Sequence, residues 1–406
     1  MKLIAGGILA PKGFKASGEY VGIKKKKKDL SLLYSETPCE YAGAFTQNVV
    51  KAAPVLWDKL LLEKGNKIKA VITNSGNANA ATGEQGMKDT EKMAEVTAKH
   101  LGIEKEEVLV CSTGVIGVLL PMDVVTKGID IVAKKLDSTI EAANDAAEGI
   151  LTTDTCSKTI AIEETIDDVV IKIGAMGKGS GMIHPNMATM LGYVTTDVNI
   201  TKLMLQKALK TCIDTTFNMI TVDGDSSTND SVIVLANGAA GNPIIDQEGE
   251  SYNKFCNALY EACKYLAIAI VRDGEGATKV LETQIDGVRN FDEGKLIAKS
   301  VLTSSLVKTA FFGEDANWGR ILTAMGYAGV DFDVTKVSIT LESMYGTINM
   351  FVNGLPIKFN EVKAKKVLQE KEIKVCITMG EGNESVTAWG CDLSYDYVKI
   401  NGEYRS

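Results

Sequence analysis

The chain has 406 residues, a net charge of −8, and 45% hydrophobic against 24% charged residues. This balance is typical of a folded globular protein, excludes a disordered chain, and argues against nucleic acid as the main partner. No run of roughly 18 apolar residues occurs, so we expect no membrane-spanning helix, and the length predicts one large domain or two moderate ones.

A run of lysines, Lys24 to Lys28, is the first unusual feature of the chain. Such a run can hold a phosphate or an acidic partner, but no aromatic side chains alternate with these lysines. The pattern therefore favours a solvated loop or sheet edge.

In the first half of the chain, β-branched stretches bounded by polar turns predict strands, and amphipathic stretches predict helices. The predicted strands cover positions 68–73, 108–111, 159–162 and 169–173. The predicted helices cover positions 87–101, 121–136 and 138–150. The second of these helices begins with Pro121, a residue that is favoured in the first helical turn.

The same mixture of elements continues through the second half. Strands are predicted at 191–194 and 231–235, and helices at 203–214 and 252–271. Beyond Gly287 the pattern predicts one long helix over 296–311, then strands at 337–341, 347–352 and 373–379. We place a domain boundary near Gly287, and the mixture predicts an α+β fold in which helices cover mixed sheets.

The two histidines and eight cysteines limit the chemistry that the chain can perform. With only His100 and His184 present, a His-rich metal site is excluded, and any triad that uses histidine must use His184. No two cysteines form a C-x-x-C pair, so we expect reduced thiols in a cytoplasmic protein and neither a disulfide framework nor a zinc site.

The most informative segment is the glycine-rich stretch 174–197. Four glycines, Gly174, Gly177, Gly179 and Gly181, follow a predicted strand and allow backbone conformations that other residues avoid. Thr189 then stands at the head of the next predicted strand. The stretch is either a flexible hairpin or a strained loop that delivers Thr189 as a nucleophile.

The scarcity of histidine favours a nucleophile that supplies its own base. A threonine at a chain N-terminus carries an α-amine with a pKa of about 7.7 to 8.0, which can take the proton of its own hydroxyl. Thr189 becomes such a terminus if the chain cuts itself after Ala188. The small Ala188 leaves the scissile carbonyl open to the Thr189 hydroxyl, and loop strain favours the cut.

The stretch 187–193, Met-Ala-Thr-Met-Leu-Gly-Tyr, closely resembles the processing site of the glutamate N-acetyltransferase family, also called ornithine acetyltransferases. These are enzymes of arginine biosynthesis. Further stretches resemble family signatures in the family's order and span essentially the whole chain. They lie at positions 10–16, 42–46, 51–55, 74–80, 111–117, 152–155, 273–279, 315–320 and 401–406.

The resemblance implies roles for individual residues. Thr189 matches the nucleophile, and Thr113 and Gly114 match the oxyanion hole. Lys178 is a reasonable anchor for a substrate carboxylate, and Glu275 for a substrate amine. The complete set of matched substrate contacts is Thr155, Lys178, Thr189, Glu275, Asn401 and Ser406.

The resemblance also implies a self-processing fold of the N-terminal-nucleophile kind. The α chain would be 1–188 and the β chain 189–406, with a catalytic domain over 1–286 and a smaller α+β domain over 287–406. Two of each chain would form a heterotetramer.

The implied reaction is ping-pong transfer of an acetyl group from N-acetyl-L-ornithine to L-glutamate through acetyl-Thr189. No metal or organic cofactor is expected. Many family members also accept acetyl-CoA, which stays open here as a co-substrate. The alternative is an N-terminal-nucleophile aminopeptidase or hydrolase of the same fold, which hands the acyl group to water.

Two features outside these motifs stay open. Asn218 and the acidic stretch 223–230 either line the active site or form a turn, and the stretch lacks the terminal glutamate of an EF-hand. His184, five residues before Thr189, is interpreted as a residue that positions the processing loop.

Overall fold

The computed structural model describes residues 1–184 and 190–403 and divides the chain into two compact units. The first unit comprises Met1–Gly179, Pro185–Asn218 and Ser226–Ile270. The second comprises Ser180–His184, Met219–Asp225 and Val271–Ser406. No helix in the described part of the chain has the length and apolar character that crossing a membrane requires.

The first unit contains a sheet of nine strands and most of its helices pack on that sheet. The strands are β1 (Lys2–Leu3), β2 (Phe14–Glu19), β3 (Leu30–Phe45), β4 (Ile68–Asn77), β5 (Val108–Val115), β6 (Lys158–Ile166), β7 (Val169–Lys178), β8 (Leu191–Thr196) and β9 (Ser231–Ala236). The helices are α1 (Ala53–Lys64), α2 (Gly83–Leu101), α3 (Met122–Lys134), α4 (Ile140–Gly149), α5 (Lys202–Thr215) and α6 (Glu250–Arg272).

The long strand β3 organises this sheet. Its first half pairs with β2 and with β4, and its second half pairs with β9. The strand order is β1-β6-β7-β8-β9-β3-β4-β5, with β2 attached to β3. The pairs β4–β5 and β8–β9 are parallel and the others antiparallel, so the predicted mixed sheet is confirmed.

Local sequence explains where several helices begin and end. Thr139 and Thr201 accept hydrogen bonds from backbone amides of the first turns of α4 and α5, which is the preferred N-cap arrangement. Gly102 ends α2 with a φ of 67°, a left-handed conformation that glycine adopts without strain. Every residue of β8 and β9 is buried, as expected for central strands.

The second unit is built on a six-stranded mixed sheet of order β13-β12-β11-β14-β10-β15. The strands are β10 (Val280–Val288), β11 (Ser338–Ser343), β12 (Gly346–Val352), β13 (Leu355–Pro356), β14 (Glu372–Thr378) and β15 (Glu384–Cys391). The helices are α7 (Phe291–Thr303), α8 (Ser305–Phe312), α9 (Trp318–Gly326), α10 (Glu361–Leu368) and α11 (Tyr395–Gly402).

Two sequence-based expectations differ from this unit. The single helix over 296–311 is two helices, because Ser304 has an extended backbone and caps α8 by accepting a hydrogen bond from the Val307 amide. The long continuous part of the second unit begins at Val271, earlier than the boundary placed near Gly287. The reason is that β10 pairs with both β14 and β15, so the stretch before Gly287 already belongs to the second sheet.

Candidate active site

The structure describes the two strands that flank the predicted nucleophile in the sequence, β7 and β8. Thr189 itself, the preceding Ala188, and Ser406 lie outside the described residues. The antiparallel strands β7 and β8 pair with Lys178 opposite Leu191, which follows Thr189 by two positions in the sequence. The chain around the predicted cut therefore connects two paired central strands.

The predicted oxyanion hole lies at the end of strand β5. Gly114 has a φ of 135° and Gly76, its partner on β4, has a φ of 103°, both in the region that favours glycine. A Cβ atom on Gly114 would lie 2.3 Å from the carbonyl carbon of Gly76. The two strands approach so closely that only glycine fits, and this fixes the direction of the backbone at Thr113 and Gly114.

The buried side-chain amide of Asn229 fixes the position of this strand end. The Nδ2 atom of Asn229 donates to the carbonyl oxygens of Ala78 at 2.6 Å and Ser112 at 2.8 Å. The Ser112 hydroxyl donates to Oδ1 of Asn74 at 2.6 Å. Buried and fully bonded amides of this kind fix a backbone position, so the residue before Thr113 has little freedom to move.

The Thr113 side chain is oriented by a cation. Nζ of Lys178 donates to the Thr113 hydroxyl oxygen over 3.3 Å, and both residues are buried. Because this oxygen accepts from Lys178, the hydroxyl hydrogen is available to donate elsewhere. Two of the predicted site residues are thus in direct contact, with Thr113 set up as a hydrogen-bond donor.

A carboxylate that was not assigned a role from the sequence lies in the same cluster. Asp154 accepts hydrogen bonds from Lys158 Nζ at 2.7 Å, the Gly179 amide at 2.7 Å and the Thr152 amide at 3.0 Å. Burial by itself raises the pKa of Asp154, but the charges of Lys178 and Lys158 and these hydrogen bonds outweigh it, and the pKa is held well below its usual range.

Thr155 follows Asp154 directly and is exposed, so the fixed carboxylate positions the loop that carries this predicted substrate contact.

The pKa of a second buried carboxyl group in the first unit, that of Asp230, shifts in the opposite direction to the pKa of Asp154. Burial raises its pKa well above the ordinary value, although Ser227, Lys178 and Thr46 act against that effect.

The second unit brings two other predicted substrate contacts together. Nδ2 of Asn401, in helix α11, donates to Oε2 of Glu275 at 2.8 Å. A Cβ on Gly181 would lie 2.4 Å from the Glu275 carboxylate, and the Glu275 amide donates to the Ser180 carbonyl oxygen at 2.9 Å. Gly181 therefore leaves the space that the Glu275 carboxylate occupies.

The acidic stretch 223–230 is divided between the units. Asp223 belongs to the second unit, where its carboxylate accepts from the amides of Met182 at 2.6 Å and Ile183 at 2.9 Å. The remainder, from Ser226, belongs to the first unit and includes Asn229. Asp223 and Asn229 therefore each hold backbone atoms of their own unit, and whether the stretch also lines the active site stays a prediction.

His184, interpreted from the sequence as a residue that positions the processing loop, contacts Thr221. Its Nδ1 atom and the Thr221 hydroxyl are 3.0 Å apart, and the Thr221 hydroxyl lies 3.2 Å from the Ile183 carbonyl oxygen. Burial and the nearby Lys299 and Lys295 lower the pKa of His184 to about 4. The ring is neutral at physiological pH and holds the backbone of the 180–184 segment through Thr221.

Within residues 1–184 and 190–403, no group of three or more His, Cys, Asp or Glu side chains is arranged to hold a metal ion. The polar residues described above are instead hydrogen-bonded to one another and to the backbone. The chemistry that this arrangement supports is stabilisation of a negative oxygen and recognition of charged small molecules.

Comparison with known proteins agrees with these features. The model of the ArgJ family matches residues 15–406. Proteins named arginine biosynthesis bifunctional protein ArgJ from Caldanaerobacter subterraneus subsp. tengcongensis and Symbiobacterium thermophilum are each 51% identical, over 406 and 409 residues and 100% of both chains.

Two solved structures are similar over part of the chain. One is the ArgJ protein of Bacillus halodurans, with 42% identity and a TM-score of 0.44 over 46% of this chain and 98% of that one. The other is an ornithine acetyltransferase of Mycobacterium tuberculosis solved in complex with ornithine, with 42% identity and a TM-score of 0.44 over 46% of this chain and 99% of that one.

The family match over nearly the whole chain and the relatives of equal length define an acyltransferase of arginine biosynthesis. The chain belongs to the ArgJ family. The predicted family resemblance and transferase class are confirmed, and the hydrolase alternative is less supported.

Proposed function

We propose that this chain cuts itself between Ala188 and Thr189 and then moves the acetyl group of N-acetyl-L-ornithine to L-glutamate on Thr189. The observation that supports the proposal is the fixed geometry at the end of β5, where the predicted donors Thr113 and Gly114 lie. Gly114 is restricted to glycine by its contact with Gly76, and the Thr113 hydroxyl accepts from Lys178. Such donors stabilise an oxyanion without reorganising during the reaction.

In the proposed reaction, groups of the protein and the two substrates account for every proton and for the acetyl group. The Thr189 hydroxyl oxygen bonds to the acetyl carbon while its proton passes to the Thr189 α-amine. The tetrahedral oxyanion is held by Thr113 and Gly114 until the carbon–nitrogen bond breaks, and ornithine leaves with that proton on its amine. The glutamate amine then attacks the ester carbonyl, and the Thr189 oxygen leaves and is protonated again.

The experiment that tests the proposal is intact-mass measurement of the purified protein beside its Thr189→Ala variant. We expect fragments 1–188 and 189–406 from the wild type and one uncut chain from the variant. A wild type that stays whole while it transfers acetyl groups overturns the N-terminal threonine mechanism.

Product analysis separates transfer from hydrolysis. With N-acetylornithine and glutamate present, we expect acetylglutamate and ornithine in equal amounts, and little free acetate. Acetate as the main product, independent of glutamate, favours the hydrolase. Replacing N-acetylornithine by acetyl-CoA in the same assay tests whether acetyl-CoA is a second donor.

The other properties that the family resemblance implies are part of the same proposal. We expect catalysis without a metal or organic cofactor, a cytoplasmic location, and an assembly of two α and two β chains. The predicted substrate contacts stay Thr155, Lys178, Thr189, Glu275, Asn401 and Ser406. Mass measurement of the native assembly tests the heterotetramer, and full activity after dialysis against a chelator tests the independence from metal.

A further inference from the structure

Lys24, the first residue of the lysine run, behaves unlike its neighbours. Lys25, Lys26 and Lys27 are exposed, as the sequence predicted, whereas Lys24 is half-buried. The loop that carries it is fixed by the buried Asp29, whose carboxylate accepts from three backbone amides. These are the amides of Val21 at 2.7 Å, Gly22 at 3.1 Å and Lys24 at 2.9 Å.

The Lys24 side chain runs along the predicted oxyanion turn. A Cβ on Gly76 would lie 2.6 Å from Cγ of Lys24, so the stem of the side chain covers Gly76, the strand partner of Gly114. Nζ of Lys24 donates to the carbonyl oxygen of Leu151 at 2.9 Å. The ammonium group therefore lies beside the loop that continues to Asp154 and Thr155.

The ammonium group has no carboxylate at ion-pair distance among the described residues, and its hydrogen-bond partner is a neutral carbonyl. Burial lowers the pKa of Lys24 to about 8, while Asp29 and Asp154 raise it and Lys27 and Lys178 lower it further. Both of these carboxylates already accept hydrogen bonds from other groups. Asp29 accepts from backbone amides, and Asp154 accepts from Lys158 and from the Gly179 amide.

The cluster thus has more positive than negative charge. Lys24, Lys158 and Lys178 are close enough to influence one another through Asp154, which is the carboxylate they share. The Lys24 ammonium group is half-buried and donates to a neutral carbonyl, so it is suited to an anion that arrives from solvent, since binding restores the lost solvation of both groups.

The chemistry of the proposed substrates indicates which of their carboxylates Lys24 can bind. N-acetylornithine and glutamate both carry an α-carboxylate, but their side chains end in opposite charges. Cations at the side-chain end would repel the ornithine ammonium, whereas cations at the α-carboxylate serve both half-reactions. That carboxylate is also two bonds from the reacting nitrogen, which must lie near the oxyanion turn.

We propose that Lys24 binds the α-carboxylate shared by the acetyl donor and the acetyl acceptor. This inference rests on the proposed function and adds a substrate-binding residue to it. Lys24 is then a specificity residue for α-amino acids, and the exposed lysines that follow it in the run are not involved.

The experiment compares Lys24→Met with the wild type on N-acetylornithine and on N-acetylputrescine, the same molecule without its α-carboxylate. We expect kcat/KM for N-acetylornithine to fall about 10- to 100-fold in the variant, the range for a lost hydrogen bond to a charged group. With N-acetylputrescine, the two proteins should differ by less than about threefold. Lys26→Met, in the same loop and exposed, is the control and should match the wild type.

Binding of ornithine, measured by calorimetry at pH 7 and pH 9, gives a readout that does not depend on turnover. A protonated Lys24 is the form that binds carboxylate, so wild-type affinity should fall as the pH rises through about 8. Lys24→Met should bind weakly at both pH values, with a smaller change between them, and Lys24→Arg should recover affinity at both.

Equal losses on both donors, together with unchanged pH dependence of ornithine binding, would show that Lys24 only supports the Leu151 loop and would overturn the inference. A loss confined to the glutamate half-reaction would also overturn it, because that places the cation at the side-chain carboxylate. A wild type that makes no acetylglutamate rejects the proposed function itself, which is a different result.

Discussion

The structure contains two polar clusters, one around Lys178 and Asp154 in the first unit and the pair Glu275 and Asn401 in the second. Different interactions hold them in place. Around Lys178, the charged groups are tied to strands and to backbone amides by several hydrogen bonds each. In the second unit, the hydrogen bond that the Glu275 carboxylate accepts comes, among the described residues, from Asn401 in the helix α11. The first cluster is preorganised by the sheet, while the second depends on the docking of α11.

This contrast predicts unequal responses to the same small change, the addition of one methyl group. Gly114→Ala places its Cβ against backbone atoms of Gly76, which have no room to move, and requires a backbone conformation that alanine disfavours. We expect acetyl transfer to fall by about 10²–10³, as when an oxyanion donor is lost. Steady-state kinetics with a fixed glutamate concentration measures this loss.

Gly117→Ala is the matched control, because Gly117 also has a positive φ but its added Cβ has open space. It should lose much less activity than Gly114→Ala. Equal losses in the two variants would mean that backbone strain in the loop, and not the close approach of Gly114 to Gly76, sets the geometry.

Removal of the Asp154 carboxylate tests the electrostatic side of the first cluster. Asp154→Asn removes the negative charge that pairs with the buried Lys158 ammonium, which typically costs about 3–5 kcal/mol in the free energy of unfolding. Because the pKa of Asp154 is lowered, its contribution is complete above the ordinary aspartate pKa and is lost as the pH falls through the lowered value.

Equilibrium urea unfolding at pH 7 measures this change. Asp130→Asn is the control, since Asp130 pairs with Lys134 on an exposed helix face and should leave the free energy of unfolding nearly unchanged. If the two variants lose the same stability, the buried cluster contributes no more than a surface pair.

The second cluster should respond more weakly. Asn401→Ala removes the hydrogen bond to Glu275, and Gly181→Ala places its Cβ against the Glu275 carboxylate, the flexible end of a side chain. We expect each to raise KM about three- to tenfold, the effect of one hydrogen bond, with a smaller change in kcat. Val398→Ala, in the same helix and 69% exposed, should behave as wild type. A fall in kcat with constant KM would assign this pair to catalysis.

The smallest effect at neutral pH is expected at His184. Its pKa is lowered to about 4 by burial and by Lys299 and Lys295, so the unfolded chain binds the proton more readily between about pH 6.5 and 4. The stability that His184 contributes is therefore present above about pH 6.5 and decreases as the pH falls toward 4.

His184→Asn removes this titration while it keeps a donor for Thr221. Thermal unfolding at several pH values should give a flatter profile between pH 4 and 6 than the wild type, by on the order of 1–2 kcal/mol, and little difference at pH 7. A variant with an unchanged profile would mean that other groups titrate in this range.

The periodic parts of the fold were predictable from the sequence. β-branched runs located β4 to β9 and β11, β12 and β14, and amphipathic spacing located α2 to α6. Strand β3 was missed, because its partners change along its length and no single pattern of burial repeats. The break at Ser304 was also missed, since apolar spacing continues through it.

The motif at Thr113 and Gly114 located a real backbone constraint, the close approach of Gly114 to Gly76, while the role of the two residues stays a prediction. Asp154, Asp223 and Asn229 were not given roles, because each acts on backbone atoms that are distant in sequence. Lys24 was grouped with a solvated run, and contacts with Asp29 and Leu151, neither of which the run itself indicates, distinguish it from the exposed lysines beside it. Composition alone records none of these long-range contacts.

The pairing of β7 with β8 and of β3 with β9 has a consequence for a processed enzyme. A cut between Ala188 and Thr189 leaves β3 and β7 on one fragment and β8 and β9 on the other, although they share one sheet. The two fragments then share the sheet of the first unit, and no peptide bond joins the strands of one to those of the other. Once denatured, they must find each other by collision, so recovery of the processed enzyme should be second order in protein, while the uncut Thr189→Ala chain refolds independently of concentration.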